Sequence, residues 1–305
     1  MNYRHAYHAG NFADVLKHAV LALVIAYLKR KEAPFRVIDT HAGTGRYRLT
    51  SAEAVKTGEW KSGIGRLLGP DAQPLPAGVA RQLRPYLDAI RAANPDGGLD
   101  FYPGSPLIAL SLMRPQDTLV ANELHPEDLS RLRSCIGGDR RAKVTGLDAW
   151  VALKSLLPPR ERRGVVLVDP PFEEAGELER ACTGLAQALK RFSTGIYLLW
   201  YPIKDVKPIG RFHARLATLG APKMLRVELM IERATNPDRL NGCGLVIVNP
   251  PYTLEGEIAA VLPELERRMA ARGAGSGNRL DWIEPSPAQA PGGAPQIKRR
   301  MRTSR

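Results

Sequence analysis

The residues best suited to chemistry are Asp169-Pro170-Pro171-Phe172, which follow the aliphatic run Val165-Val166-Leu167-Val168. That run has no polar alternation and is rich in β-branched side chains, the pattern of a central parallel strand buried on both faces. It stops at a carboxylate. Each proline fixes φ, restricts the residue before it and lacks an N–H, so the turn leaves the strand stiffly and cannot join the sheet. What remains is a group of acceptors, the Asp169 carboxylate and the turn carbonyls, beside the aromatic face of Phe172. Such a site suits a planar group carrying an amino donor. The plainer alternative is a strand ending in a rigid turn whose Asp caps the next helix. Leu245–Tyr252 has the same form, Leu-Val-Ile-Val-Asn-Pro-Pro-Tyr, so position in the chain must decide between the two.

Three further segments read as short strands ending in an acid: Phe35–Asp39, Thr118–Glu123 and Lys143–Asp148. With Asp169 they line one edge of a parallel sheet, where doubly wound folds bind ligands and where an acid commonly accepts the ribose hydroxyls of a nucleoside. Thr40-His41-Ala42-Gly43-Thr44-Gly45 follows Asp39 as a small-residue turn that lets a ligand approach the backbone closely. The dinucleotide fingerprint is absent, because no third glycine follows Gly45, and there is no Gly-Lys-Ser/Thr phosphate loop. This leaves a dehydrogenase the least favoured reading.

The elements that must position these acids follow from periodicity. Asn11 and Asp14 precede a helix expected over Phe12–Arg30, with Leu16, Val20, Leu23 and Tyr27 on one face. Lys17 and His18 fall near its start. A cation there opposes the helix dipole, so Lys17 is expected to meet a phosphate or other ligand rather than only solvent. Helices are expected at Leu107–Met113, Glu177–Arg191 and Ile209–Leu219, and further strands at Gly195–Pro202, Lys223–Ile231 and Gly244–Val248. No helix separates the last two strands, so they form an antiparallel hairpin and Asn249-Pro250-Pro251-Tyr252 falls at the wrong edge of the sheet.

The expected organisation is an N-terminal substrate-binding motif and helix (1–33), a seven-stranded α/β core (34–48 and 104–272), an inserted helical subdomain (49–103) and a disordered tail (273–305). Within the insertion Pro70, Pro74, Pro76, Pro85 and Pro95 are expected to break the helices into short pieces. In the tail, Lys298, Arg299, Arg300, Arg302 and Arg305 would add sequence-independent attraction to phosphates.

With 305 residues, 44% hydrophobic and 25% charged, the chain has the composition of an ordinary globular protein. A net charge of +13 points to a polyanionic partner, most simply nucleic acid. No signal sequence is visible and Ala19–Leu28 is too short to span a bilayer, so a cytoplasmic protein is expected, with no membrane partner. Cys135, Cys182 and Cys243 lie far apart, and His5-x-x-His8 lacks partners at zinc-ligand spacing, so neither a disulfide framework nor a metal is expected.

The strand order, with a Gly-rich turn first and Asp-Pro-Pro-aromatic after the fourth strand, resembles the Rossmann-like S-adenosylmethionine-dependent methyltransferases. Asp-Pro-Pro-Phe is similar to the signature of enzymes that methylate an exocyclic or amide nitrogen. Tyr3-Arg4-His5, His8-Ala9-Gly10-Asn11, Asp14–His18, Asp39–Gly43, Tyr102–Pro106, Glu123–Pro126 and Trp200-Tyr201-Pro202 resemble the RlmJ family, bacterial 23S ribosomal RNA adenine-N6 methyltransferases, over nearly all of residues 1–285. The resemblance implies S-adenosyl-L-methionine as cofactor and 23S rRNA, protein-free or partly assembled, as substrate of a monomeric enzyme. It implies cofactor contacts at His18, His41, Gly43, Ser105, Glu123, Asp148, Ala149 and Asp169, with Asp169 the catalytic acid. Tyr3, Arg4, His5, Lys17, Pro170 and Phe172 would bind substrate. Phe172 stands where the family usually has Tyr, and Ala149 where it often has Gly.

The chemistry suits these residues. An adenine N6 lone pair is delocalised, and hydrogen bonds from N6–H to Asp169 and the Pro170 carbonyl would localise it. Methylation makes N6 acidic, so an ordinary carboxylate suffices as acceptor. The base must be unpaired or flipped out and stacked on Phe172. DNA-adenine and protein-glutamine methyltransferases could use the same turn, and a non-catalytic RNA-binding protein would need only the basic surface.

Overall fold

The computed structural model describes residues 4–221, 223–271 and 275–286. Ten strands are present among them: β1 (Arg36–Asp39), β2 (Arg46–Arg48), β3 (Phe101–Pro103), β4 (Thr118–Asn122), β5 (Ala142–Thr145), β6 (Gly164–Val168), β7 (Ile196–Ile203), β8 (Met224–Met230), β9 (Gly242–Val248) and β10 (Gly277–Trp282). Eight form one sheet in the order β10-β8-β9-β7-β6-β1-β4-β5, and β2 pairs with β3 in a separate ribbon. Neighbours from β7 through β5 are parallel, whereas β9 is antiparallel to both β7 and β8.

All five residues of β6 are buried. Because side chains alternate across a strand, Val165 and Leu167 enter one core and Val166 and Val168 the other. This is why the run could carry no polar alternation. One layer holds the first helix, α1 (Phe12–Leu28), with the helices Ala77–Ala92, Ser105–Leu112 and Leu254–Met269; the opposite layer holds Glu177–Arg191 and Val206–Ala217.

The sequence suggested a single apolar face for α1, but fifteen of its seventeen residues are buried. It lies between the sheet and the helices Ala77–Ala92, Ser105–Leu112 and Leu254–Met269, so it is covered nearly all round. Asn11 caps it, accepting from the Ala13 and Asp14 amides at 2.9 and 3.0 Å. Pro85 does not end a helix as expected; Ala77–Ala92 continues through it. Burial of Leu83, Tyr86, Leu87 and Ile90 in the core shared with α1 offsets the proline's cost of about 3 kcal/mol.

The sheet has eight strands, not seven. The extra one, β10, occupies part of the segment expected as disordered tail and pairs antiparallel with β8. Composition pointed the wrong way because Pro, Gly and Ala flank a short segment that is anchored by a tertiary contact, the fork of Arg226 on Asp281 at 2.7 and 2.6 Å. The basic cluster at 298–305 lies outside the described residues. Among those that are described, no helix is long and apolar enough to cross a membrane.

Candidate active site

Strand register sets the site. Asp39 of β1 lies opposite Ala121 of β4 and Leu167 of β6. Glu123 and Asp169 are each two residues further along, so they flank Asp39 on the same sheet edge. Asp148, one strand further out, caps the helix Ala149–Leu156 through bonds from the Trp150 and Val151 amides, each 3.0 Å. The capping alternative raised for Asp169 thus describes Asp148 instead.

Asn122 locks this edge, though nothing in its local sequence announces it. Its amide nitrogen donates to the Thr40 and Leu147 carbonyls at 3.1 and 2.8 Å, while its oxygen accepts from Thr145 Oγ1 and the Leu147 amide, each 2.9 Å. One side chain therefore ties the ends of β1, β4 and β5. Glu123 then accepts from the Gly43 amide at 2.9 Å and the His125 amide at 2.8 Å, and burial raises its pKa. Gly43 has φ +59°, and a Cβ there would stand 2.0 Å from the Tyr47 hydroxyl, so only glycine fits. Asp39 accepts from Ser105 Oγ at 2.6 Å and the His41 amide at 3.2 Å; burial pushes its pKa up to about 6. The His41 ring bonds Thr40 Oγ1 at 2.8 Å, and burial lowers its pKa to about 4.

Across the edge, Lys17 Nζ reaches Asp169 Oδ2 at 2.5 Å and Asp14 Oδ1 at 2.8 Å. Lys17 is 4% exposed. Burial alone would lower its pKa, but the two carboxylates more than offset this and hold it well above the ordinary value. Burial likewise opposes ionisation of Asp14, yet His5, Lys17 and His18 hold its pKa well below normal. The expected phosphate contact by Lys17 is therefore corrected: its ammonium is enclosed by carboxylates, and its partner in the first turn is Asp14. Asp14 also accepts from His5 Nε2 at 2.9 Å and the Gly10 amide at 2.8 Å, which folds the N-terminal segment onto the site.

Phe172 takes φ +52°, a left-handed conformation that a bulky residue rarely adopts. That conformation accompanies a ring set against Trp200, centroids 5.8 Å apart and tilted 55°. Trp200 is a wall residue the sequence reading left out of the site, although its place at the aromatic end of β7 was a usable signal. Pro170 is buried beside Asp169, and Ala149 is buried in the first turn of its helix. His18 is 1% exposed, bonds the Tyr102 hydroxyl at 2.7 Å and is pushed by burial to about 3, so it is neutral and turned into the core. Arg4 pairs with Glu127 at 2.8 Å on the surface. Tyr3 lies outside the described residues. Among those residues no group of three or more His, Cys, Asp and Glu could hold a metal ion.

A family model described as ribosomal RNA large subunit methyltransferase D, RlmJ, matches residues 32–284. The chain belongs to the RlmJ family. Two relatives named ribosomal RNA large subunit methyltransferase J agree: one from Escherichia coli K12 is 43% identical, covering 93% of this chain and 99% of that protein. The other, from Haemophilus influenzae Rd, is 41% identical with the same coverage. The crystal structure of LPL1258 from Legionella pneumophila superposes with a TM-score of 0.79 at 33% identity, covering 90% of this chain and 98% of that one. RlmJ membership and the β5-β4-β1-β6-β7-β9-β8 order together make this a Rossmann-like methyltransferase fold. Its cofactor is S-adenosyl-L-methionine.

Proposed function

We propose that the protein methylates the N6 of an unpaired adenine in 23S ribosomal RNA. The RlmJ family and the names of both relatives support large-subunit rRNA as substrate. The observation that carries the adenine reading is the Asp169-Pro170 acceptor pair standing beside an aromatic ring on the acidic sheet edge.

The residues present fit the cofactor. Gly43 offers a cradle that any Cβ would fill, and Glu123, held by two backbone amides, suits ribose hydroxyls. Bound there, S-adenosylmethionine supplies an electrophilic methyl carbon. Asp169 Oδ2 is occupied by Lys17, which leaves Oδ1 and the Pro170 carbonyl to accept the two N6–H bonds. Those bonds orient the nitrogen and localise its lone pair; the proton shed after transfer leaves through Asp169. Lys17 fixes the carboxylate's orientation, and Phe172 and Trp200 stack the base.

The test is incubation with labelled cofactor and protein-free 23S rRNA, DNA or protein, followed by mass analysis of the nucleosides. N6-methyladenosine from rRNA alone is the expected product. Label in DNA or in glutamine would replace this reading with one of the two other amino-nitrogen chemistries.

A further inference from the structure

A second feature lies beside the site and is not used by the transfer chemistry. An open cleft of about 430 Å³ runs between β2, the helix Ala52–Thr57 and the helix Pro126–Ile136. Arg46, Arg48 and Arg131 line it with the hydroxyls of Ser51, Ser130 and Ser134. Arg46 and Arg48 are exposed, and Tyr47 between them is buried, as strand alternation requires. Both guanidiniums rest on one ring: their central carbons are 4.9 and 5.1 Å from the Phe101 centroid.

Stacking orients the two forks side by side and leaves their N–H donors unspent. Among the described residues neither arginine forms an ion pair, whereas Arg114, Arg141 and Arg226 are each pinned to an aspartate. Glu53 also lines the cleft, but its carboxylate bonds its own amide and Ser51. Two oriented, unneutralised cations rimmed by hydroxyls match the charge and spacing of a sugar-phosphate chain, and the nearly complete lack of apolar lining argues against a protein partner.

The cleft is joined to the active site by contacts. Tyr47 lines it and meets the His5 ring edge-on at 5.1 Å. His5 bonds Asp14, Asp14 bonds Lys17, and Lys17 bonds Asp169. We propose that Arg46 and Arg48 on β2, with Arg131 opposite, grip the phosphate backbone of the RNA strand flanking the target adenine. This rests on RNA being the substrate.

The test compares Arg46→Ala/Arg48→Ala with the unaltered protein in two assays: filter binding to protein-free 23S rRNA across a series of KCl concentrations, and single-turnover methyl transfer at saturating RNA. The double variant is expected to bind at least about tenfold more weakly, with a log–log salt slope shallower by about 2, since each lost phosphate contact removes about 0.9. Its saturated rate should stay within about twofold. Arg46→Lys/Arg48→Lys, which keeps the charges, should keep the slope; this separates lost phosphate contacts from a folding defect. Unchanged affinity and slope in the alanine variant would overturn the proposal, as would a lost saturated rate with binding intact. If the unaltered protein binds rRNA yet forms no N6-methyladenosine, the catalytic reading fails instead, and the slope comparison still decides the cleft.

Discussion

Asp169-Pro170-Pro171-Phe172 and Asn249-Pro250-Pro251-Tyr252 are built alike: an aliphatic strand, a polar residue, two prolines and an aromatic. Both include a non-glycine residue at φ +52°, Phe172 in one and Asn249 in the other. They end on opposite edges of the sheet because β6 is parallel to β7 and β9 antiparallel to it. At the acidic edge the polar residue meets Lys17 and the ring meets Trp200. At the other, Asn249 donates to the Ser193 and Gly195 carbonyls, both at 2.8 Å, and Tyr252 is 83% exposed against Tyr27. The same local chemistry therefore closes a structural turn in one place and opens toward a substrate in the other. Strand direction makes the difference.

The comparison breaks most directly by removing each polar residue. Asp169→Ala should lower single-turnover methyl transfer at least about 10³-fold with cofactor affinity little changed, because orientation and proton acceptance both vanish. Asn249→Ala should leave the rate within about twofold and cost about 1–3 kcal/mol of stability in urea titrations, from two carbonyls left unpaired. Comparable rates in the two variants would remove the distinction.

Lys17→Met tests what holds the acidic turn in place. The saturated rate should fall about 10²-fold while Asn249→Ala stays active, since two carboxylates would lose their shared cation. The pH dependence has a definite sign. Because the Lys17 pKa is raised, its contribution is complete below the ordinary lysine value of about 10.4 and is lost only as pH climbs through the raised one. Because the Asp14 pKa is lowered, its contribution is complete above about 3.9 and is lost only as pH falls through the lowered one. The pair should thus impose no limb on a pH–rate profile between about pH 5 and 9, and a basic limb near pH 8 that Lys17→Arg shifts would contradict this assignment.

The smallest contrast concerns the two rings. Phe172→Ala should slow transfer about tenfold, chiefly through weaker base stacking. Tyr252→Ala should change neither rate nor melting temperature measurably. If both leave the rate unchanged, Phe172 serves the turn and not the base.

Much of the site was legible because its signals are local. Val165–Val168 is aliphatic without alternation because both faces are covered, and the prolines after Asp169 announce a turn whatever surrounds them. The hairpin that sends Asn249 to the far edge also follows from order in the chain, since no helix lies between β8 and β9. Lys17 was misjudged for the opposite reason: its carboxylate partner Asp169 is 152 residues away, and helix-dipole reasoning sees only the first turn. Asn122 was missed because four bonds to three chain segments leave no mark on its neighbours. β10 was hidden by the Pro- and Gly-rich composition around a segment that an arginine on β8 holds in place.

By itself, the sequence determined the kinds of element and the chemistry each could offer: buried strands, acids at their ends, a proline-stiffened acceptor turn. Those properties depend on φ restriction, alternation and capping, which act between residues a few positions apart. Only the tertiary structure decided which acid takes the buried ammonium, which aromatic backs Phe172 and where two arginines share one ring. Each of those contacts joins distant segments, so it exists only after strand order, direction and packing have brought them together.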